Sequence, residues 1–284
     1  MNRLFSAIVN LVSYCRKKVL AGGKPFLKMK EVNSNSNKNY KLCLQLTHKK
    51  YRDQYGLYLI EGDHLLAEAI KRDIELQMVF IREDRVFQEN DAFPESIALS
   101  EKLFKNIAQT ESSQGVIAVA RKKNWSEALF FEQAAGKNIL VLDRLQDPGN
   151  IGTMIRTADA AGYGGAIILK GTGDIYNPKV VRAAAGSLFR LPVIFVETPE
   201  DALRMLKRHG KKTVSTGFDT DYIFYDEDLK RDIALLIGNE GSGICEELSR
   251  GADVKVKIPM ENNVNSLSAP VAAAILMYES KRKG

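Results

Sequence analysis

The amino-acid sequence predicts an α/β protein of two domains, the larger built on a mostly parallel sheet with helices on both faces. Three observations carry this. The chain has 284 residues, 45% of them apolar, longer than the roughly 100–200 residues that a single core usually serves. Short apolar runs alternate with amphipathic stretches, the pattern of strands buried on both faces and joined by helices. A polar, charged stretch at 123–137, around Trp125, interrupts the alternation and reads as a linker with some helical character near 126–135.

Residues 1–45 read as a flexible N-terminal extension. Leu4 to Val12 is a short apolar run followed by Arg16, Lys17 and Lys18, with no acidic residue before Glu31. A leader peptide has this outline, but Ser6 and Asn10 interrupt the run and no small-residue cleavage site follows. An ordinary tail, or initiation at Met29, is the better reading. Residues 32–39, rich in Asn and Ser, read as a flexible linker.

From 46 to 122 the residues predict a compact α/β unit. Leu57–Ile60 is a strand, and Glu61-Gly62 turns it into a helix with Leu65, Leu66, Ala69 and Ile70 on one face. Met78–Ile81 is a second strand. Ser100 caps a helix carrying Leu103, Phe104 and Ile107, and Val116–Val119 is a third strand. From 138 to 284 strands are expected at Ile139–Leu142, Ala166–Leu169, Val193–Val196, Thr213–Thr216, Ala234–Ile237 and Val254–Ile258. Helices are expected near 150–161, 179–189, 199–208, 244–250 and 267–281.

Composition narrows the function. A net charge of +6 and a pI near 9.0 favour a polyanionic partner without requiring one. Cys15, Cys43 and Cys245 are too sparse for a disulfide framework or a zinc site. His48, His64 and His209 are far apart and suggest no metal cluster. No apolar run approaches the roughly 18 residues that span a bilayer, and a cytoplasmic protein is expected.

Three segments carry the chemistry, each where a strand ends and ligands of open α/β sheets bind. In the first, Asp147-Pro148-Gly149-Asn150-Ile151-Gly152 leads into Thr153-Met154-Ile155-Arg156-Thr157-Ala158. Pro148 and Gly149 break the strand, and Asn150 is expected to cap the helix. Arg156 lies off the apolar stripe, either a solvated arginine or a fixed guanidinium for a phosphate or developing oxyanion. In the second, Gly238-Asn239-Glu240-Gly241-Ser242-Gly243 follows a buried strand. Its glycines let the backbone turn sharply and approach a ligand, but it lacks the Lys-Ser/Thr of a phosphate loop. The first βα turn also has no G-x-G-x-x-G, which argues against a nicotinamide or flavin site. In the third, a strand stops at Ile258-Pro259-Met260, a polar loop reaches Ser266-Leu267-Ser268, and a helix rich in small residues, Ala272 to Ala274, follows.

Taken in order, these segments resemble the SpoU/TrmH family of RNA ribose 2′-O-methyltransferases, part of the SPOUT class. The resemblance rests on Asn150, Gly152 and Arg156-Thr157-Ala158, on Gly238-Asn239-Glu240-Gly241, and on Ile258-Pro259-Met260 with Ser266-Leu267. Asn177-Pro178-Lys179, Arg182, Gly186 and Phe189 are similar to the family's middle segment. Most of 138–281 is covered. The 46–122 unit, with Leu59-Ile60-Glu61-Gly62, looks like the family's ribosomal-protein-like substrate-binding domain. One position departs: Ser268 stands where the family usually has Asn, losing an amide's paired donor and acceptor.

The resemblance implies a trefoil knot in the 138–284 domain, which no spacing argument would suggest because knots are rare. It implies S-adenosylmethionine as cofactor, held by Thr216, Gly238, Ile258 and Leu267, and no metal. It implies Arg156 as the residue that holds the target phosphate and stabilises the alkoxide. Asn150 would orient the ribose or Arg156, Glu240 would fix Arg156 or the cofactor loop, and Ser266 would bond near the nucleophile. Ribosomal RNA is favoured as substrate over transfer RNA by the separate N-terminal domain, and a homodimer is expected. The competing readings are a transfer-RNA methyltransferase, a non-catalytic RNA-binding or ribosome-assembly protein favoured by Ser268, and a small-molecule methyltransferase.

Overall fold

The computed structural model describes residues 30–32, 34–85, 95–262 and 266–282, so the predicted tail at 1–28 lies outside the described residues. The chain divides into two compact units, Met1–Lys122 and Lys123–Gly284.

In the first unit, strands β1 (Lys30–Val32), β2 (Leu57–Glu61), β3 (Leu76–Arg82), β4 (Glu95–Leu99) and β5 (Val116–Arg121) form one sheet in the order β1-β4-β3-β5-β2. β1, β4 and β3 run parallel, while β5 is antiparallel to both β3 and β2. Strand residues two apart share a face. Accordingly Leu57 and Leu59, Met78 and Phe80, Ile97 and Leu99, and Ile117 and Val119 form one core. Helix α1 (Lys38–Gln45) covers it with Tyr40 and Cys43, and α4 (Glu101–Ile107) with Leu103, Phe104 and Ile107. Among the described residues, the remaining helices of the unit are α2 (Lys49–Tyr55) and α3 (Asp63–Lys71), the latter lying against β2 and β5.

The structure corrects the expected extension over its described part. Residues 34–45 are built into the unit. Asn37 caps α1, its Oδ1 accepting from the amides of Asn39 (2.9 Å) and Tyr40 (3.2 Å), and Tyr40, Cys43 and Leu46 are fully buried. The Asn/Ser run reads as linker by composition, but one of its Asn residues is a helix cap. Strands β1 and β4, which the residue pattern did not suggest, complete this sheet.

The second unit holds β6 (Ile139–Leu142), β7 (Gly165–Leu169), β8 (Val193–Val196), β9 (Lys212–Thr216), β10 (Ile233–Ile237) and β11 (Val254–Val256), all parallel, in the order β11-β9-β10-β6-β7-β8. On one face, α5 (Glu127–Gln133), α8 (Pro199–Arg208) and α9 (Glu246–Gly251) bury Phe130, Phe131, Ala202, Leu206 and Leu248 against Ile139, Val141, Ile167, Leu236 and their neighbours. The stretch 123–137, expected as a linker, is therefore part of this core. Ser126 caps α5, accepting from the Leu129 amide (3.3 Å), and adjacent Phe130 and Phe131 supply the apolar face. α6 (Pro148–Ala160) is flanked by α7 (Pro178–Ala183) and α10 (Ala269–Glu279). Predicted strands and helices of this unit recur within a few residues, except that 179–189 splits into α7 and a 3₁₀ turn at Ser187–Phe189.

Candidate active site at the carboxyl ends of the parallel strands

Where neighbouring strands of a parallel sheet continue in opposite directions, their carboxyl-end loops part and leave a crevice. The strand order places this point between β6 and β10. The loop after β6 (143–147) leads into the first predicted segment, which lies on α6, and the loop after β10 (238–245) carries the second.

The two loops are tied at their base by Asp143, whose side chain is only 2% exposed. Its carboxylate accepts from Arg144 Nε (2.9 Å) and Nη2 (3.0 Å) and from the Cys245 amide (2.8 Å). Arg144 takes a left-handed backbone conformation, φ 56°, that lets its side chain fold back on Asp143. Its Nη2 also donates to Gly243 O (3.1 Å) and its amide to Thr172 Oγ1 (2.9 Å).

The second loop closes on itself. Asn239 and Gly243 exchange backbone hydrogen bonds of 3.0 and 2.9 Å. Asn239 Oδ1 accepts from the amides of Gly241 (2.9 Å) and Ser242 (3.0 Å), while its Nδ2 donates to Arg144 O (2.9 Å). A Cβ at Gly238 would lie 2.1 Å from Ile244 N and 2.2 Å from Gly243 C. Glycine is required there by the loop's own backbone, a nearer cause than the ligand approach that the sequence suggests.

Glu240 joins the predicted segments. Its carboxylate accepts from the amides of Gln146 (3.3 Å) and Asp147 (3.3 Å) and from Asn150 Nδ2 (3.1 Å). Burial acts to raise its pKa, but bonds from its own backbone, Asn150, Asp147 and Gln146 outweigh burial and hold it below the ordinary carboxylate value. Asn150 is not the helix cap. Asp147 takes that place, accepting from the Asn150 amide (2.8 Å), with Pro148 in the first turn. The reason is local: Pro has no amide hydrogen and a preset φ, which suits the first helical position. The cap therefore falls on Asp147, three residues before Asn150, leaving the Asn150 side chain for Glu240.

Ile151, Met154, Ile155 and Ala158 are the buried stripe of α6, and Arg156 lies off it on the exposed face. Arg156 makes no hydrogen bond or ion pair with any described residue, so Glu240 fixes Asn150 and the first loop and not Arg156. Gly152 sits where α6 meets α7: a Cβ would lie 2.4 Å from Ala183 Cβ.

Thr216 ends β9, paired in register with Val256 of β11; Gly238 follows β10; Ile258 lies two residues beyond β11. Since β11, β9 and β10 are neighbours, these three positions share one edge of the sheet. Ser266 is exposed and Leu267 half-buried, just ahead of α10. Residues 263–265 lie outside the described residues. Ser268 is the N-cap residue of α10, but its hydroxyl makes no cap bond; only its carbonyl accepts, from Val271 and Ala272 (3.0 Å each). A threonine hydroxyl, main-chain groups and the apolar side chains of Ile258 and Leu267 suit the adenosine part of an S-adenosylmethionine molecule.

Sequence reasoning does not single out Asp143, Arg144 and Gln146, and it places Asn239 in the second segment without giving it a role. Their available signals were an Asp-Arg pair directly after a buried strand and the Asn-x-Gly-Ser run that favours an Asx turn.

Among the described residues, no group of three or more His, Cys, Asp or Glu is arranged for a metal, and no helix is long and apolar enough to cross a membrane. Residues 137–278 match the model of the SpoU rRNA Methylase family, and residues 37–118 match an MRM3-like substrate binding domain. The 23S rRNA (guanosine(2553)-2′-O)-methyltransferase RlmP of Bacillus subtilis is 34% identical over 251 residues, covering 88% of this chain and 98% of that protein. An AdoMet-bound rRNA methyltransferase from Sinorhizobium meliloti superposes with a TM-score of 0.79 at 29% identity, over 89% of this chain and 97% of the other. The SpoU methyltransferase AviRb from Streptomyces viridochromogenes, also in complex with AdoMet, superposes with a TM-score of 0.78 at 27% identity, over 86% and 97%.

Proposed function

Because the chain belongs to the SpoU rRNA methylase family, we propose that it transfers a methyl group from S-adenosylmethionine to a ribose 2′-hydroxyl of ribosomal RNA. The observation that carries this is the junction at the switch point: Glu240 grips Asn150 at 3.1 Å while Arg156, on the same helix, stays uncommitted. The relative RlmP methylates a guanosine 2′-oxygen of 23S rRNA by name, and the substrate-binding domain match favours ribosomal over transfer RNA.

S-adenosylmethionine supplies a methyl group activated on a sulfonium. Thr216, Gly238, Ile258 and Leu267 would hold it through a hydroxyl, main-chain groups and an apolar slot. The trefoil threading of the last segment belongs to this proposal. The acceptor hydroxyl is a poor nucleophile at neutral pH, so the protein must orient it and stabilise the oxyanion as the proton leaves. Arg156 does this by holding the adjacent phosphate and the developing negative charge while the proton passes to solvent water; a guanidinium is too weak an acid to give up its own proton and so does not serve as the base. Asn150, its amide nitrogen bound to Glu240, offers Oδ1 to a ribose hydroxyl. Ser266 bonds near the nucleophile. Glu240 acts on the reaction only through Asn150 and the first loop, as a positioning residue.

A homodimer completes the proposal. α10, packed beside α6, exposes Val271 and Tyr278, and a second copy covering this face would bring groups toward Arg156. The protein works in the cytoplasm, where ribosomal RNA is modified. The test is transfer of label from S-adenosylmethionine into RNA lacking the modification, with cofactor binding measured in parallel. Label with wild type and none with Arg156→Ala, at equal cofactor affinity, supports the assignment; cofactor binding with no label in any RNA contradicts it.

A further inference from the structure

The helix pair α1–α2 of the first unit has a surface that folding does not account for. Residues 38–56 contain Lys38, Lys41, Lys49, Lys50 and Arg52 against one acidic residue, Asp53. Asp53 is already neutralised twice, by Lys49 (2.7 Å) and by Lys122 (2.8 Å), which hold its pKa below the ordinary value against the opposing effect of burial. Arg52 is buried and donates to Leu46 O (2.8 Å), fixing the bend between the helices. That leaves Lys38 and Lys41, both exposed and without an ion pair to any described residue, and Lys50, which sits 5.8 Å above the Tyr51 ring.

Aromatic surface lies on the same helix pair. Tyr51 and Tyr55, one turn apart on α2, stack with centroids 6.3 Å apart and planes 12° from parallel. Tyr55 is 39% exposed and Leu44, on α1, 41% exposed; they are the two exposed large hydrophobic side chains among the described residues of this unit. A helix face that merely keeps a protein soluble mixes charges of both signs and hides its rings. Uncompensated cations on a helix pair that also exposes Tyr55, the outer ring of a stacked pair, have the chemistry that single-stranded nucleic acid recognises: phosphates on lysines and an unpaired base on an aromatic face.

We propose that the α1–α2 face is a docking surface for a single-stranded stretch of the RNA substrate, with phosphates on Lys38, Lys41 and Lys50 and a base stacked on Tyr55. The proposal rests on the reading of RNA as substrate. It adds a contact that sets RNA affinity and takes no part in the chemistry.

The test compares wild type with a Lys38→Gln/Lys41→Gln/Lys50→Gln triple variant, checked for folding by circular dichroism. For the triple variant, the KM for RNA should rise about tenfold or more with kcat within about twofold. The slope of log KM against log salt should fall by about 2, since each phosphate contact with a single strand contributes about 0.7. Tyr55→Ala should weaken binding by about tenfold, as loss of one base stack does, and Tyr55→Phe should restore it. Fluorescence anisotropy with a labelled oligouridylate reads the same contacts without turnover. Wild-type binding lost in the triple variant, with no methyl transfer by either protein, would retain this surface and sink the catalytic proposal. Normal methyl transfer with unchanged KM and salt slope in the triple variant would overturn the surface alone. Equal loss in Tyr55→Ala and Tyr55→Phe would overturn the stacking contact.

Discussion

Removal of the Asp143 carboxylate tests how the two loops of the candidate site are held. In Asp143→Ala the bidentate pair with Arg144 is lost and the Cys245 amide loses its acceptor. A buried ion pair broken from one side costs about 3–5 kcal/mol when the other charge is stranded. Arg144 is 39% exposed and turns to water, so its share falls to about 1 kcal/mol. The orphaned, half-buried amide adds about 1 kcal/mol. The sum of about 2 kcal/mol corresponds to a fall in Tm of about 4–8 °C for a unit of this size. Urea unfolding should show a lower midpoint with the slope unchanged, because the surface exposed on unfolding is the same. The 238–245 loop should also bind cofactor more weakly, since its anchors at Gly243 and Cys245 are loosened. Asp143→Asn should fall between the two proteins, as the amide keeps one acceptor and turns the other into a donor. A loss below about 0.5 kcal/mol would refute the reasoning, as it would mean that the Asp143 network carries no weight.

Three further outcomes follow from the site. Arg156→Ala should lower kcat by about 100-fold or more while changing stability by less than about 0.5 kcal/mol, because the side chain is exposed; a large fall in Tm would contradict its freedom. Gly152→Ala should destabilise by about 1–3 kcal/mol, since the new Cβ would lie 2.4 Å from Ala183 Cβ and 2.9 Å from Val180 O; an unchanged Tm would mean that α6 and α7 are not so close. Glu240 has a folded pKa below its unfolded value, so its contribution is present above the unfolded pKa of about 4.3 and is lost as pH falls through the folded pKa. The Tm difference between wild type and Glu240→Gln should hold from neutral pH down to about 4.3 and close below it; a difference that closes near neutral pH would show a raised pKa instead.

Much of the second unit was legible because parallel strands buried on both faces leave continuous apolar runs, such as Ile139–Leu142 and Ile233–Ile237. β1 and β4 were not: β1 is three residues at the sheet's edge, and in β4 the polar Glu95 and Ser96 leave only Ile97-Ala98-Leu99 as an apolar run. The Asn/Ser run at 32–39 and the charged stretch at 123–137 misled for one reason. Composition marks them as linkers, whereas Asn37 and Ser126 are helix caps and Tyr40, Phe130 and Phe131 supply buried faces. In the site, the segments containing Asn150, Arg156 and Glu240 could be picked out, but their connections could not. The Glu240–Asn150 bond spans 90 positions and depends on β10 lying beside β6, a pairing that no local pattern encodes. The α6 cap was assigned to Asn150 because Asn is a good capping residue; Pro148 moves the cap to Asp147.

The most direct test of the central claim is the chemical position of the transferred methyl. RNA labelled from S-adenosylmethionine by the wild-type protein is hydrolysed in alkali, which cleaves a phosphodiester only where the neighbouring 2′-hydroxyl is free. Ribose methylation puts label in alkali-resistant dinucleotides from ribosomal RNA, absent when Arg156→Ala replaces wild type. Label recovered in ordinary mononucleotides would place the methyl on a base and contradict the account.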